Sequence, residues 1–173
     1  MPRSYSAALP IAYVVLRILV VLNWLWGLGI LILLLISPNE RWIIEALKLA
    51  GSPDAGRVVM GLRTVAVLGL VAIPLNNIVL TRLLAMVGSV RAGDPFVPAN
   101  AKRLLAIAWT LLALQLLSIV IGAIAKAIST PAHPVVLDAG FSLSGWLAVL
   151  FTFVLARVFA EGTLMREDLG GMI

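Results

Sequence analysis

Asp94, Arg103, Arg157, Glu161 and Arg166 bring opposite charges into two short segments, residues 91–104 and 157–169. Arg157 and Glu161 stand four apart, the spacing of an ion pair on one helix face. Asp94-Pro95 favours a turn, and Pro98 suits the first turn of a helix that follows. An aspartate of the first segment paired with an arginine of the second would fold both into one charged face. Such a face offers recognition rather than turnover, because complementary charge steers and orients a partner without any reacting group.

Groups for other chemistry are missing. The chain has no cysteine and one histidine, His133, which excludes thiolate catalysis, disulfides and cysteine metal sites. A lone histidine between Pro131 and Pro134 lacks the partners that a metal needs and reads as a solvated loop residue. No Walker loop and no Ser-x-x-Lys pair at a shared depth occurs. We therefore expect no enzyme, no metal and no cofactor. Asn23, Asn76, Asn77 and Gln115 form a second polar set, inside apolar stretches. Asn23 should hydrogen-bond a neighbouring helix. Asn76 and Asn77 follow Pro74 and should bond carbonyls that the proline frees. Gln115 could then meet either of them, or the four could line a polar cavity.

The elements that position these residues are set by charge-free runs over residues 18–39, 64–81, 104–125 and 139–156. About 20 apolar residues at 1.5 Å rise cross roughly 30 Å of hydrocarbon. The fold class is therefore all-α, an integral membrane four-helix bundle, and residues 1–173 form a single four-span domain. The spans run over about 10–36, 58–87, 98–128 and 139–164. Between the first two, Ser37-Pro38-Asn39-Glu40 is a capping box. It opens a short amphipathic helix over about 38–50, with Trp42, Ile43, Ala46 and Leu47 on one face and Glu40, Arg41, Glu45 and Lys48 on the other. That helix lies in the interface or packs as a lid. Pro74 should kink the second span. Gly140, Ser144, Ala148, Thr152, Ala156 and Ala160 recur at every fourth position and form a ridge of small residues. The ridge should bury the fourth span inside the monomer; pairing of two copies is the alternative.

Composition agrees. Of 173 residues, 62% are hydrophobic, the net charge is +5 and the mean hydropathy is +1.10, so the chain's partner is the lipid bilayer. The excess of basic residues suits anionic lipid, with no direct contact to nucleic acid. Arg3, Arg17, Arg82, Arg91, Lys102, Arg103, Arg157 and Arg166 share the side of both termini. Arg41, Lys48, Arg57, Arg63 and Lys126 share the other. That bias places both termini on the cytoplasmic side of the membrane. No carboxylate falls in the middle of a span, which argues against a pump.

Gly93-Asp94-Pro95-Phe96, then Asn100-Ala101-Lys102-Arg103-Leu104, resembles the hallmark between spans two and three of an uncharacterised bacterial membrane family, domain of unknown function 2975. Arg157-Val158-Phe159, Glu161-Gly162 and Leu164-Met165-Arg166-Glu167-Asp168-Leu169 resemble its closing motif. Val97 stands where the family often has a threonine cap, and Gly170-Gly171 where an acidic residue and glycine are common. The resemblance implies the four-span layout and no established activity. It also implies a regulatory role, because members are often encoded beside a small helix-turn-helix regulator. The expectation is a non-enzymatic regulatory or sensory protein. Its partner-binding residues would be Asp94, Pro95, Phe96, Asn100, Arg103, Arg157, Glu161 and Arg166. The alternative is a small-molecule transporter or sensor with a cavity at Asn23, Asn76, Asn77 and Gln115.

Overall fold

In a computed structural model of the chain, the structure describes residues 8–36, 43–45, 50, 53–131, 134–135 and 137–170, the last four by backbone alone. These form four long helices: α1 (Ala8–Ile36), α2 (Ala55–Arg91), α3 (Pro98–Ile128) and α4 (Leu143–Gly170). All four are long and apolar enough to cross a membrane, and the fold is an all-α four-helix bundle. By that measure the chain is a multi-pass membrane protein.

Each helix packs on its neighbour in sequence: α1 on α2, α2 on α3, α3 on α4. Among the described residues α1 and α4 do not touch, so the bundle is open on one side. Burial follows this order. α3, with a neighbour on each side, hides Leu104, Ile107, Ala108, Thr110, Gln115, Ala125 and Ile128, whereas α1 hides Gly27 alone. Gly27 is where Ile73 of α2 drives in: a Cβ there would stand 3.0 Å from the isoleucine side chain. Small residues permit such approach where lipid supplies no hydrophobic drive between helices.

α2 stays helical through Pro74. Its polar neighbours bond differently from the expected pattern. The amide that reaches α2's backbone beside the proline belongs to Asn23 on α1, whose Nδ2 donates to the Ile73 carbonyl at 3.0 Å. Asn77 instead accepts from Trp24 Nε1 at 3.2 Å. It lies on the face turned to α1, so its side chain reaches across the interface rather than back along its own helix.

α4 starts at Leu143, later than the charge-free run begins. Residues 139–142 are bound to α3 in another conformation. Gly140 has φ 130°, in the left-handed region, and its N–H donates to Ser118 Oγ at 3.1 Å. Ser118 Oγ–H donates back to the Gly140 carbonyl at 3.3 Å. A Cβ on Gly122 would meet the Ala139 carbonyl oxygen at 2.7 Å, so this glycine admits the backbone. Ser142 then caps the helix, accepting from the Gly145 N–H at 3.2 Å.

The short helix expected over 38–50 lies mostly outside the described residues. Residues 43–45 are helical, and Ile43 and Ile44 pack on the buried pair Val58 and Val59 at the start of α2. At that end Arg57 Nη2 donates to the Ala127 carbonyl at 2.6 Å, a cation on the last turn of α3. At the opposite end Arg91 and Arg17 flank the Tyr13 ring, 4.9 and 5.4 Å from its centre. The start of α1, the α2–α3 connection and the end of α4 thus share one end.

Candidate functional site

The connection between α2 and α3 is built from its first residue. α2 closes in a Schellman turn: Gly93 has φ 89°, its N–H donates to the Val90 carbonyl at 3.0 Å, and the Asp94 N–H donates to Ser89 at 3.1 Å. Glycine is the residue that takes this left-handed position without a Cβ clash. The turn points Asp94 at α4, where its carboxylate pairs with the Arg166 guanidinium. The expected pairing of Asp94 with a tail arginine is present.

Asn100 holds the rest. It is 1% exposed, in the first turn of α3, and its Nδ2 donates to the Pro95 carbonyl at 2.8 Å and to Ser89 Oγ at 2.7 Å. Its Oδ1 accepts from Arg103 Nη1 at 2.8 Å, and the same nitrogen approaches the Ala85 carbonyl at 3.5 Å. One buried amide therefore joins α2, the connection and α3, with each of its polar atoms engaged. Val97 gives α3 no side-chain cap. The proline at N1 removes one orphan donor, and the Asn100 N–H donates to the Val97 carbonyl at 2.8 Å.

Phe96 completes the link to α4. Its ring lies 5.4 Å from that of Phe159, tilted by 31°. It also covers Gly162, where a Cβ would meet the ring at 3.4 Å. Arg157 Nε donates to Glu161 at 2.8 Å on the outer side of the same helix. The structure thus gathers all eight residues of the partner-binding set at one end. Pro95, Asn100 and Arg103 build the scaffold, while Asp94, Phe96, Arg157, Glu161 and Arg166 reach the surface. Ser89 and Tyr13 belong to this end and were not singled out from the sequence, and Gly162 stood in the closing motif with no role of its own. Gly162, a glycine inside a helix, was the one readable signal of close approach.

The cavity set does not converge. Asn23 and Asn77 bond across α1 and α2. Gln115 lies between α3 and α4, its side chain over Gly145, and so does not meet Asn76 or Asn77. Its position is explained by that glycine, which leaves room for the amide where a side chain would exclude it. Gln115 Nε2 and Trp146 Nε1 are buried there without a hydrogen-bond partner. The groove beside Pro74, about 370 Å³, is walled by apolar side chains such as Leu28, Leu70 and Ile73. Among the described residues no three His, Asp or Glu side chains are grouped to hold a metal.

The comparisons bear on this same region. No curated protein and no solved structure matches the chain. A family described as "Protein of unknown function (DUF2975)" matches residues 36–170. The match takes in α2, α3, α4 and both charged segments, while all of α1 but its last residue lies ahead of it. Covering most of the chain, it shows that this protein belongs to the DUF2975 family.

Proposed function

We propose that the protein is a regulatory membrane protein of a bacterial cytoplasmic membrane, with both termini inside. The α2–α3 connection and the inner end of α4 serve as one docking face for a soluble partner. A small helix-turn-helix regulator fits the family resemblance and remains the preferred partner class. The observation that carries the reading is the double tie between connection and helix, Asp94 to Arg166 and Phe96 to Phe159. It holds opposite charges on one preorganised surface. Arg157, Glu161 and Arg166 keep about half or more of their side chains exposed there (79%, 51% and 58%). Phe96, 44% exposed, supplies an aromatic anchor among them. A preorganised face loses little entropy on binding. Our reading of this face is recognition rather than turnover, and we regard the protein as a non-enzyme.

The test is a binding titration with the chain in lipid nanodiscs. The probe is a regulator encoded beside its gene or, lacking one, the protein captured from native membranes. Asp94→Ala, Arg166→Ala and Glu161→Lys should each weaken binding at least about tenfold, the scale of a desolvated charge pair. Insertion and the helical circular dichroism should be unchanged. Variants that fold and bind as the parent does would remove the basis of this reading.

A further inference from the structure

Lys102 and Arg157 occupy an unusual position in the chain. Both stand at the edge of a charge-free run: Lys102, next to Arg103, precedes the run over residues 104–125, and Arg157 follows the run over 139–156. They therefore mark, on two adjacent helices, the depth at which hydrocarbon gives way to headgroups. The structure brings them to one groove of about 310 Å³ between α3 and α4. Below the two cations its walls are Leu105, Phe153 and Ala156, and Ala101 and Ala160 keep its upper part open. Trp109 meets the Phe153 ring edge-on, 5.3 Å between centres at 89°, and continues the apolar wall deeper.

Among the described residues the charges of the groove are only partly satisfied, and no acidic side chain lines it. Lys102 is exposed and makes no ion pair with any described residue. Arg157 uses Nε on Glu161, leaving the rest of its guanidinium fork for another anion. Two cations over an apolar trough match an amphiphile with a negative head.

We propose that this groove holds one anionic phospholipid, its phosphate between Lys102 and Arg157 and an acyl chain along Leu105 and Phe153. A free phosphate ester would use the cations and leave the apolar walls uncovered, whereas a zwitterionic lipid would cover the walls and compensate the charge poorly. The anionic lipid does both. It would also lie against Arg157 and Glu161, coupling headgroup composition to the charged face next to it.

Native mass spectrometry of the intact chain, released from micelles holding equal amounts of phosphatidylglycerol and phosphatidylcholine with the same acyl chains, tests this. The parent should retain phosphatidylglycerol preferentially. Lys102→Gln and Arg157→Gln should each lower that retention about fivefold, the effect of one cation near the headgroups. Lys102→Arg should restore it. Leu105→Trp, which fills the trough, should lower retention of both lipids. Equal retention of the two lipids by the parent, unchanged preference in the Gln variants, or equally tight binding of water-soluble glycerol 3-phosphate would each overturn the proposal. Lys102→Gln leaves Asp94, Glu161 and Arg166 in place, so loss of lipid with partner docking intact separates this proposal from the docking reading.

Discussion

Asn100 illustrates what a buried amide does in a connection this short. Removing it leaves the Pro95 carbonyl without its donor and takes the 2.8 Å acceptor from Arg103, in a site that is 1% exposed at its centre. The Ser89 hydroxyl loses one donor but keeps its own bond to the Met86 carbonyl. An unsatisfied buried group costs about 1–3 kcal/mol, more when charged. Asn100→Ala should therefore destabilise the protein by about 2–3 kcal/mol, read as a lowered melting midpoint in detergent. Ser89→Ala, which removes one acceptor of an amide that keeps its bond to Pro95, should cost no more than about 1 kcal/mol. The two residues differ in how legible they were. The Asp94 pairing could be read from the sequence because opposite charges at one end of the bundle find each other. The Asn100–Ser89 bond could not, because it depends on how far α2 extends: Ser89 lies past the end of the charge-free run, on a turn that the Gly93 cap adds to the helix.

At the scale of the element, α4 shows why a repeat in sequence need not be a face in space. Residues four apart on a helix of 3.6 residues per turn drift by roughly 40° at each step, and residues seven apart by roughly 20° in the other sense. Gly140 lies ahead of the helix, and the ridge from Ser144 to Ala160 therefore winds around it. Ala156 is buried, but Ser144 and Ala148 are exposed. The buried positions are instead Val149, Ala156 and Thr163, seven apart, with Gly145 admitting Gln115 one turn before them. Small-residue spacing alone pointed at the right helix but only part of the right face. Gly145→Val and Gly122→Val should accordingly lower the melting midpoint strongly, whereas Ser144→Leu and Ala148→Leu should be tolerated by the monomer. A large loss from Ala148→Leu would mean that something covers the outer half of the ridge. Size-exclusion chromatography with light scattering would then show whether it is a second copy.

For the molecule as a whole, packing of sequential helices and the ties at each end set which loops lie together. Tyr13, Arg91, Asp94 and Arg166 meet at one end, and Arg57 meets Ala127 at the other. The four spans were legible because charge-free length is a property of the chain itself. The open side of the bundle was not, because lipid-facing and helix-facing positions are equally apolar when the solvent is hydrocarbon, and nothing in composition tells α1's one neighbour from α3's two. The proposed orientation rests on charge bias, with eight lysines and arginines expected on the side of the termini against five on the other. The absence of native cysteine makes that bias directly measurable. A single cysteine at Ala92, in the turn after α2, should resist a membrane-impermeant maleimide in right-side-out vesicles and react in inverted ones. A single cysteine at Leu137, in the α3–α4 connection, should do the reverse. Labelling of both from the outside would refute the four-span arrangement. A clean exchange of the two patterns would keep the fold but turn the charged face outward, which removes a cytoplasmic regulator from the list of possible partners.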